Sequence, residues 1–179
     1  MPDPLAHYLT SYLVARAVSK PRCVALVALI ALLPDIDALL RVHRWVPHSI
    51  PLTLLVTTPI LTLVYYRFRK YLRFAAIALL IYVLHIALDL FTVLTPALWS
   101  LHSSIWIRIE LTGALTTSGV RIAPGVEVVT RPADFTQRDV VEGLLVTETG
   151  LALGVVAAIL TALDAIRSRA KQQIPTGCG

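Results

Sequence analysis

The sequence is poor in charged residues and in cysteine, and both shortages narrow the classes of protein that it can encode. Only 15% of its 179 residues are Asp, Glu, Lys or Arg, against about 25% in soluble domains. Hydrophobic residues make up 56% of the chain, and the mean hydropathy is +0.74. These values indicate an integral membrane protein. The two cysteines, Cys23 and Cys178, are too few for a disulfide framework.

The sequence also lacks a basic segment at its start and a basic motif for reading nucleic acid. Asp3 and Pro4 stand where a signal peptide would carry positive charge. We therefore expect the N-terminal segment to be retained, with His7 available for chemistry. The net charge of +5 comes from basic residues beside apolar segments, not from a patch interleaved with aromatic residues. We expect no nucleic-acid partner.

Apolar segments dominate what is present, and they predict an all-α integral membrane protein. We expect about four to five hydrophobic helices in a single membrane domain over residues 1–179. The predicted helices cover about residues 5–18, 22–34, 50–66, 74–95 and 149–166. Residues 104–111 alternate between apolar and polar, and Gly119 and Pro124 are turn signals. A small β-rich extramembrane insert is therefore predicted at about residues 100–140.

Basic residues are distributed unevenly among the loops, which predicts an orientation. Short cytoplasmic loops collect Lys and Arg. One set of loops holds ten of the sixteen basic residues: Arg16, Lys20, Arg22, Arg67, Arg69, Lys70, Arg73, Arg167, Arg169 and Lys171. We expect a multi-pass protein of the inner cell membrane with a cytoplasmic C-terminus. Most of the His and Asp residues then fall on the extracytoplasmic face.

These His and Asp residues are candidate metal ligands, because both types bind zinc and similar divalent ions. His85 and Asp89 are four residues apart on a predicted helix, so both side chains project from one face. An ionisable pair inside an apolar span is expensive and marks a functional site. The alternative is a buried histidine that is hydrogen-bonded to Asp89 at a helix interface.

Two further clusters fall on the same predicted face. Asp35 and Asp37 follow the helix-ending Pro34, and their charges would repel each other without a cation. The alternative for this pair is a helix stop at the membrane interface, and for His43 and His48 an interfacial loop. Convergence on one face favours a shared site, with these predicted ligands: His7, Asp35, Asp37, His43, His48, His85 and Asp89.

Three motifs that follow an N-terminal histidine are similar to those of a known family. They are Leu32–Asp37, His43-Arg44-x-x-x-His48-Ser49 and His85-x-x-x-Asp89-x-x-Thr92. The first hundred residues resemble the YdjM-type family of metal-dependent membrane hydrolases, described as LexA-binding and inner-membrane-associated. That family is remotely similar to zinc-dependent phospholipase C. The resemblance implies an all-helical hydrolase that acts on phosphoesters.

We therefore expect a membrane-embedded hydrolase that holds one to three divalent ions, zinc above all, and cleaves a phosphoester through a metal-activated water. One carboxylate of Asp35 and Asp37 would bind metal while the other binds a second ion or acts as general base. Arg44 would clamp a phosphate oxygen. The expected substrate is a membrane lipid or a lipid-linked small molecule. The alternative is a non-catalytic, metal-stabilised membrane scaffold that recruits a protein partner.

Overall fold

The computed structural model describes residues 3–18, 23–41, 46–99, 103–132, 134, 136–140 and 143–173. Its α-helices are α1 (Pro4–Val18), α2 (Val24–Leu29), α3 (Ile50–Arg67), α4 (Leu72–Thr92) and α5 (Glu148–Gln173). Short 3-10 helices cover Ile30–Leu32, Pro34–Leu40, Val46–His48 and Arg69–Tyr71. Strands β1 (Thr95–Trp99), β2 (Ser103–Thr116) and β3 (Gly119–Pro132) form one antiparallel sheet in that order.

The predicted all-α class is wrong, because the chain combines helices with this three-stranded sheet. Apolar and polar residues alternate from Ile107 to Thr112 of β2 and, less regularly, in β3, and the two strands pair over 14 residues each. The expected number of four to five membrane helices is also wrong. Helices α1 and α2, with 15 and 6 residues, are shorter than the roughly 20 residues that a span requires.

Three helical stretches of the described chain are long and apolar enough to cross a membrane. They are Ile50–Arg67, Arg69–Thr92 and Glu148–Arg167. In an apolar 18-residue window of each stretch, only 6%, 22% and 11% of the residues, respectively, are buried inside the protein. Most of their apolar side chains therefore point outward.

Small side chains bring α1, α2 and α4 together in the core. Ala15 of α1, Val24 and Val27 of α2, Ala31 beyond it, and Ile81 of α4 form one buried cluster. Alanine at a helix crossing lets the backbones approach closely, as in membrane helix pairs. This packing fixes α1 and the Ile30–Leu40 region against α4.

A 3-10 helix turns the two carboxylates of the Pro34–Leu40 segment inward. Residues three apart lie above one another in such a helix, so Pro34 and Asp37 share one buried row while Ile36 and Leu39 share an exposed one. Asp35 is buried beside the first row. The segment ends at Arg41, whose φ of 59° is left-handed.

The sheet begins immediately beyond the end of α4. Thr95 of β1 pairs with Ile107 of β2, and β2 pairs with β3 without interruption from Ser103↔Pro132 to Thr116↔Gly119. Gly119 has a φ of +126°, which a residue with a side chain rarely adopts. It closes the hairpin that β2 and β3 form.

Candidate metal centre

The structure brings six of the seven predicted ligands together at one end of the helices. His7 comes from α1, Asp35 and Asp37 from the Pro34–Leu40 segment, His48 from the turn before α3, and His85 and Asp89 from α4. All six are buried. His43, and Arg44 with it, lie outside the described residues.

Four of these residues form a group that can hold a metal ion: Asp35, His48, His85 and Asp89. One ligand atom from each residue can be chosen so that all four atoms lie within 4.8 Å of one another. A tetrahedral zinc ion with bonds of about 2.0–2.2 Å requires its ligand atoms to be roughly 3.4 Å apart. The group has the ligand types and the spacing for such an ion.

The individual distances approach this tetrahedron. Nε2 of His48 lies 3.4 Å from Nε2 of His85, 3.5 Å from Oδ1 of Asp35 and 3.4 Å from Oδ2 of Asp89. Nε2 of His85 lies 3.7 Å from Oδ1 of Asp35 and 3.8 Å from Oδ2 of Asp89. Both imidazole rings thus direct Nε2 toward the same two carboxylates, as two ligands of one ion would.

The buried carboxylates face imidazole rings, with Nε2 of His7 3.1 Å from Oδ1 of Asp89 and Nε2 of His48 3.5 Å from Oδ1 of Asp35. Among the described residues, no oxygen of Asp35 or Asp89 accepts a hydrogen bond of good geometry, although Asp89 is fully buried and Asp35 nearly so. A buried charge is costly unless a hydrogen bond, an opposite charge or a metal compensates it. A divalent cation between the two carboxylates would supply that compensation.

The pKa values of two residues of this group, His48 and Asp35, agree with an affinity of the site for positive charge. Burial alone would lower the pKa of His48, but the facing carboxylates of Asp35 and Asp89 outweigh it and raise that pKa to about 9. Burial alone would raise the pKa of Asp35, but His48 and His85 outweigh it and hold that pKa below its ordinary value of 3.8. The pocket between these side chains therefore favours a cation.

His7 and Asp37 lie around this group and do not belong to it. Oδ2 of Asp37 is 3.9 Å from Nδ1 of His48, the nitrogen that points away from the group. Nε2 of His7 is 3.1 Å from Oδ1 of Asp89, and its ring stacks on His85 at 4.2 Å between centroids. A carboxylate behind a metal-binding histidine orients that ring, which is the position that Asp37 has.

Tyr82 fixes the turn that carries His48, and the sequence alone did not point to it. Its hydroxyl donates a 2.6 Å hydrogen bond to the carbonyl of Pro47. Since Tyr82 and His85 are three residues apart on one face of α4, the same helix face holds His85 and anchors the neighbour of His48. The sequence signal that could have identified Tyr82 is the position of its hydroxyl-bearing side chain one helical turn before the predicted ligand His85.

Asp3 is the second residue that sequence reasoning missed. Its Oδ1 accepts the amide of Leu5 at 2.8 Å, while its Oδ2 accepts both the amide and the hydroxyl of Thr147 at 2.6 Å. Thr147 in turn accepts the amide of Gly150. We call these contacts the Asp3–Thr147 clasp; it joins the N-terminal ends of α1 and α5 one turn from His7. Asp3 before Pro4 is a helix-start signal that could have revealed it.

Comparisons with family models, with curated proteins and with solved structures find no match to the chain. The resemblance to the YdjM-type family therefore rests on the motifs of this sequence, and the metal centre rests on its own geometry.

Proposed function

We propose that the chain is a multi-pass membrane protein that binds a divalent metal, zinc above all, and hydrolyses a phosphoester of a lipid or a lipid-linked molecule. The observation that carries the proposal is the near-tetrahedral group of Asp35, His48, His85 and Asp89 inside an apolar helical fold. Two histidines and two carboxylates are a ligand set that zinc accepts.

Outward-facing apolar side chains support the membrane location. Leu54, Leu55 and Leu63 of α3 are 55%, 70% and 58% exposed. Apolar patches of this extent are unusual on soluble monomers, whereas the hydrocarbon core of a bilayer requires them. The three candidate spans would place this surface against lipid.

His7 and Oδ1 of Asp89 extend the site beyond the four-residue group. Their separation of 3.1 Å suits two ligands of one ion, so Asp89 can bridge two positions through its two oxygens. Two protein ligands leave the rest of a coordination shell to water or substrate, as in catalytic zinc sites. A divalent ion supplies two kinds of chemistry there: it lowers the pKa of water and polarises a phosphoryl oxygen.

A cavity of about 350 Å³ adjoins His7 and supports a lipid-like substrate. Leu88, Leu144 and Leu153 provide apolar walls, and Thr10 and Thr92 provide hydroxyl groups. The volume falls within the range of about 300–1,000 Å³ that small-molecule sites have. Apolar walls beside a polar metal centre suit a molecule with an acyl or isoprenoid part and a phosphate.

Elemental analysis together with a phosphoester panel tests the proposal. We expect the purified full chain in nanodiscs to contain zinc and to hydrolyse a phosphodiester or a phosphomonoester. Asp89→Asn should lose both metal and turnover, while the matched surface change Asp134→Asn should retain both. A protein that holds its metal stoichiometrically and cleaves no substrate of the panel would contradict the enzymatic part.

The second candidate function is a metal-stabilised membrane scaffold that recruits a protein partner. The favouring observation is that the four-residue group offers four protein ligands, each at most 8% exposed, and structural zinc sites are saturated in this way. His7→Ala separates the two functions. At saturating zinc, it should abolish turnover if the His7 side of Asp89 carries the chemistry, whereas in a scaffold it should lower only metal affinity and stability.

We propose that the metal centre faces the extracytoplasmic side of the inner membrane. Arg16 and Arg73 lie at the other end of the helices, where Arg73 donates to the carbonyl of Val18 and Arg16 pairs with Asp164. The positive-inside tendency assigns that end to the cytoplasm. Cysteine labelling in intact cells should modify Gly125→Cys from outside and leave Arg69→Cys protected. The reverse result would move the site to the cytoplasm.

A further inference from the structure

The hairpin of β2 and β3 has one wholly apolar face and one charged face. Side chains alternate between the two sides of a strand, and paired residues share a side. The apolar face, as we name it, therefore consists of Ile105, Ile107, Ile109, Leu111, Leu115, Val120, Ile122, Val126 and Val128, together with Gly113, Pro124 and Thr130. The opposite side carries Arg108, Glu110, Arg121, Glu127 and Arg131.

Two arginines of the charged side have partners within the hairpin, whereas the apolar face is exposed. Arg108 pairs with Glu110 at 2.9 Å, and the Arg131 guanidinium lies 5.2 Å from the centre of the Trp106 ring. The outer large side chains of the apolar face, from Leu111 to Val128, are between 60% and 88% exposed. A two-stranded hairpin is marginal in water without a surface that covers its apolar side.

The place where the sheet begins indicates which surface this is. β1 starts three residues after α4 ends, at Thr95, and the amide of Trp99 donates to Oγ of Ser49, which precedes α3. The base of the sheet thus lies at the ends of two candidate membrane spans. A hairpin that extends from there lies next to the headgroups of the bilayer.

The strand edge determines how deep the hairpin can lie. In the sheet order β1-β2-β3, the outer edge of β3 has no paired strand among the described residues. Open strand edges do not occur within the hydrocarbon core of a bilayer, because their polar groups would be unsatisfied there. The hairpin therefore cannot cross the hydrocarbon core, and any contact that it makes with the membrane is restricted to the hydrated interface.

Lipid suits the apolar face as its occupant, because the neighbouring candidate spans would already hold that face at the membrane surface. An anchored apolar patch needs no further contacts to insert into the interface. A second copy of the chain is the competing occupant, and crosslinking between copies distinguishes it from lipid.

We propose that the β2–β3 hairpin is a membrane-surface element that inserts its apolar face into the lipid interface beside the metal centre. The charged side then faces water, and its arginines can reach anionic phosphates at the hairpin edge. The inference rests on the proposed membrane location and is independent of the proposed hydrolysis. Insertion of the apolar face would keep the hairpin parallel to the membrane surface in which a lipid substrate lies.

Site-specific quenching tests the proposal in the full chain. In a Cys23→Ser, Cys178→Ser background, single cysteines replace Val120, Arg121, Ile122 and Ala123 in turn and carry a bimane fluorophore. The protein is reconstituted into phosphatidylcholine–phosphatidylglycerol vesicles without brominated lipid, with lipid brominated near the headgroup, and with lipid brominated near the end of the acyl chain. Leu80→Cys lies on the exposed face of α4 close to the middle of that helix, and in the vesicles with chain-end bromine it reports whether the spans themselves contact lipid.

Positions 120 and 122 should lose about half of their fluorescence in the vesicles with lipid brominated near the headgroup, because an interfacial apolar face lies about 5–10 Å below the headgroups. Their neighbours at 121 and 123 should be nearly unaffected. Equal quenching at positions 120, 121, 122 and 123 would overturn the proposal. So would the absence of quenching at positions 120 and 122 while Leu80→Cys is quenched. Disulfide crosslinking of Ile122→Cys between copies, without quenching, would assign the apolar face to a second copy instead. Absence of quenching at Leu80→Cys would refute the membrane location and this inference with it.

Discussion

The two ends of the helical bundle use the same residue type, aspartate, in opposite environments. At one end Asp35 and Asp89 are buried, among the described residues, without good hydrogen-bond donors. At the other end Asp164 is paired with Arg16 and its side chain is 60% exposed. Water already stabilises the exposed charge, so its partner contributes little. The buried pair has no such solvent, so a bound cation is far more important there.

Helices α1 and α5 extend between these two ends and are joined at both. The Asp3–Thr147 clasp joins them near the metal centre, and the Arg16–Asp164 pair joins them at the far end. The first joint uses backbone amides at two helix starts, where a negative charge is favoured. The comparison therefore predicts that substitutions of the buried carboxylates affect metal binding and stability most, and that substitution of Asp164 affects stability least.

Asp89→Asn should have the largest effect, because it removes the charge that Asp89 would share between His7 and the four-residue group. We expect loss of the stoichiometric metal ion, with a decrease in thermal stability that added zinc does not restore, since ligand removal eliminates the binding free energy itself. Metal content by mass spectrometry is the measurement. Asp164→Asn is the matched control and should retain full occupancy; equal metal content in both variants would refute the metal centre.

His7→Ala should have the next largest effect on metal affinity. Its Nε2 contacts Oδ1 of Asp89 and its ring stacks on His85, so its loss would disorder two members of the group. Removal of a residue that supports metal ligands typically costs about 10–100-fold in affinity. Competition with a zinc-binding dye measures this change. An unchanged affinity would mean that His7 contributes nothing to holding Asp89.

Gly150→Ala should break the Asp3–Thr147 clasp. A Cβ at this position would overlap the Asp3 carboxylate, whereas at Gly154 it would meet only Cδ1 of Leu9, at 3.6 Å. Lost hydrogen bonds to a charged group cost about 1.5–3 kcal/mol, and the helix gains about 1 kcal/mol when alanine replaces glycine. The variant should therefore be less stable by about 0.5–2 kcal/mol in reversible unfolding.

Gly154→Ala provides the control for that measurement. Alanine at this position favours the helix as it does at Gly150, but its Cβ does not overlap the Asp3 carboxylate. The variant should therefore be as stable as the original chain or up to about 1 kcal/mol more stable. If both glycine variants unfold alike, the close approach of Asp3 to α5 does not stabilise the fold.

Acid should weaken the same clasp. Burial alone would raise the pKa of Asp3, but the hydrogen bonds from Thr147 outweigh it, so the pKa lies below its ordinary value of 3.8. A carboxyl with a lowered pKa in the folded state stabilises the protein above 3.8, and this contribution is lost as the pH falls below that value. At neutral pH, Asp3→Asn should lower the stability, because it replaces a charged hydrogen-bond acceptor with a weaker neutral one, and the difference should shrink in acid. A pH-independent difference would argue against an ionised Asp3.

The sequence predicted which residues meet in the candidate metal centre better than it predicted the fold. Helical spacing alone placed His85 and Asp89 on one face, and the loop charges placed Asp35, Asp37 and His48 at the same end of the helices. These patterns are local or depend on composition. The sheet was underestimated because the pairing of β2 with β3 depends on contacts between residues that are far apart in the chain.

The residues that sequence reasoning missed act through backbone atoms. Tyr82 donates to the carbonyl of Pro47, and Asp3 accepts amides from Leu5 and Thr147. Such contacts depend on where a backbone group happens to lie in three dimensions. Neither the residue type nor its spacing identifies the partner, although Asp3 before Pro4 does mark a helix start.

Asp164→Ala should have the smallest effect, and it calibrates the comparison. The exposed pair with Arg16 should contribute no more than about 0.5 kcal/mol, and salt should screen that contribution further. Arg16→Ala should cost more, because its guanidinium also donates to the carbonyl of Leu160 at 2.8 Å. Thermal unfolding in detergent at low and high salt measures both variants. If Asp164→Ala lowered the stability as much as Gly150→Ala, solvent exposure would not determine how strongly these contacts stabilise the protein. The contrast between the two ends of the bundle would then be refuted.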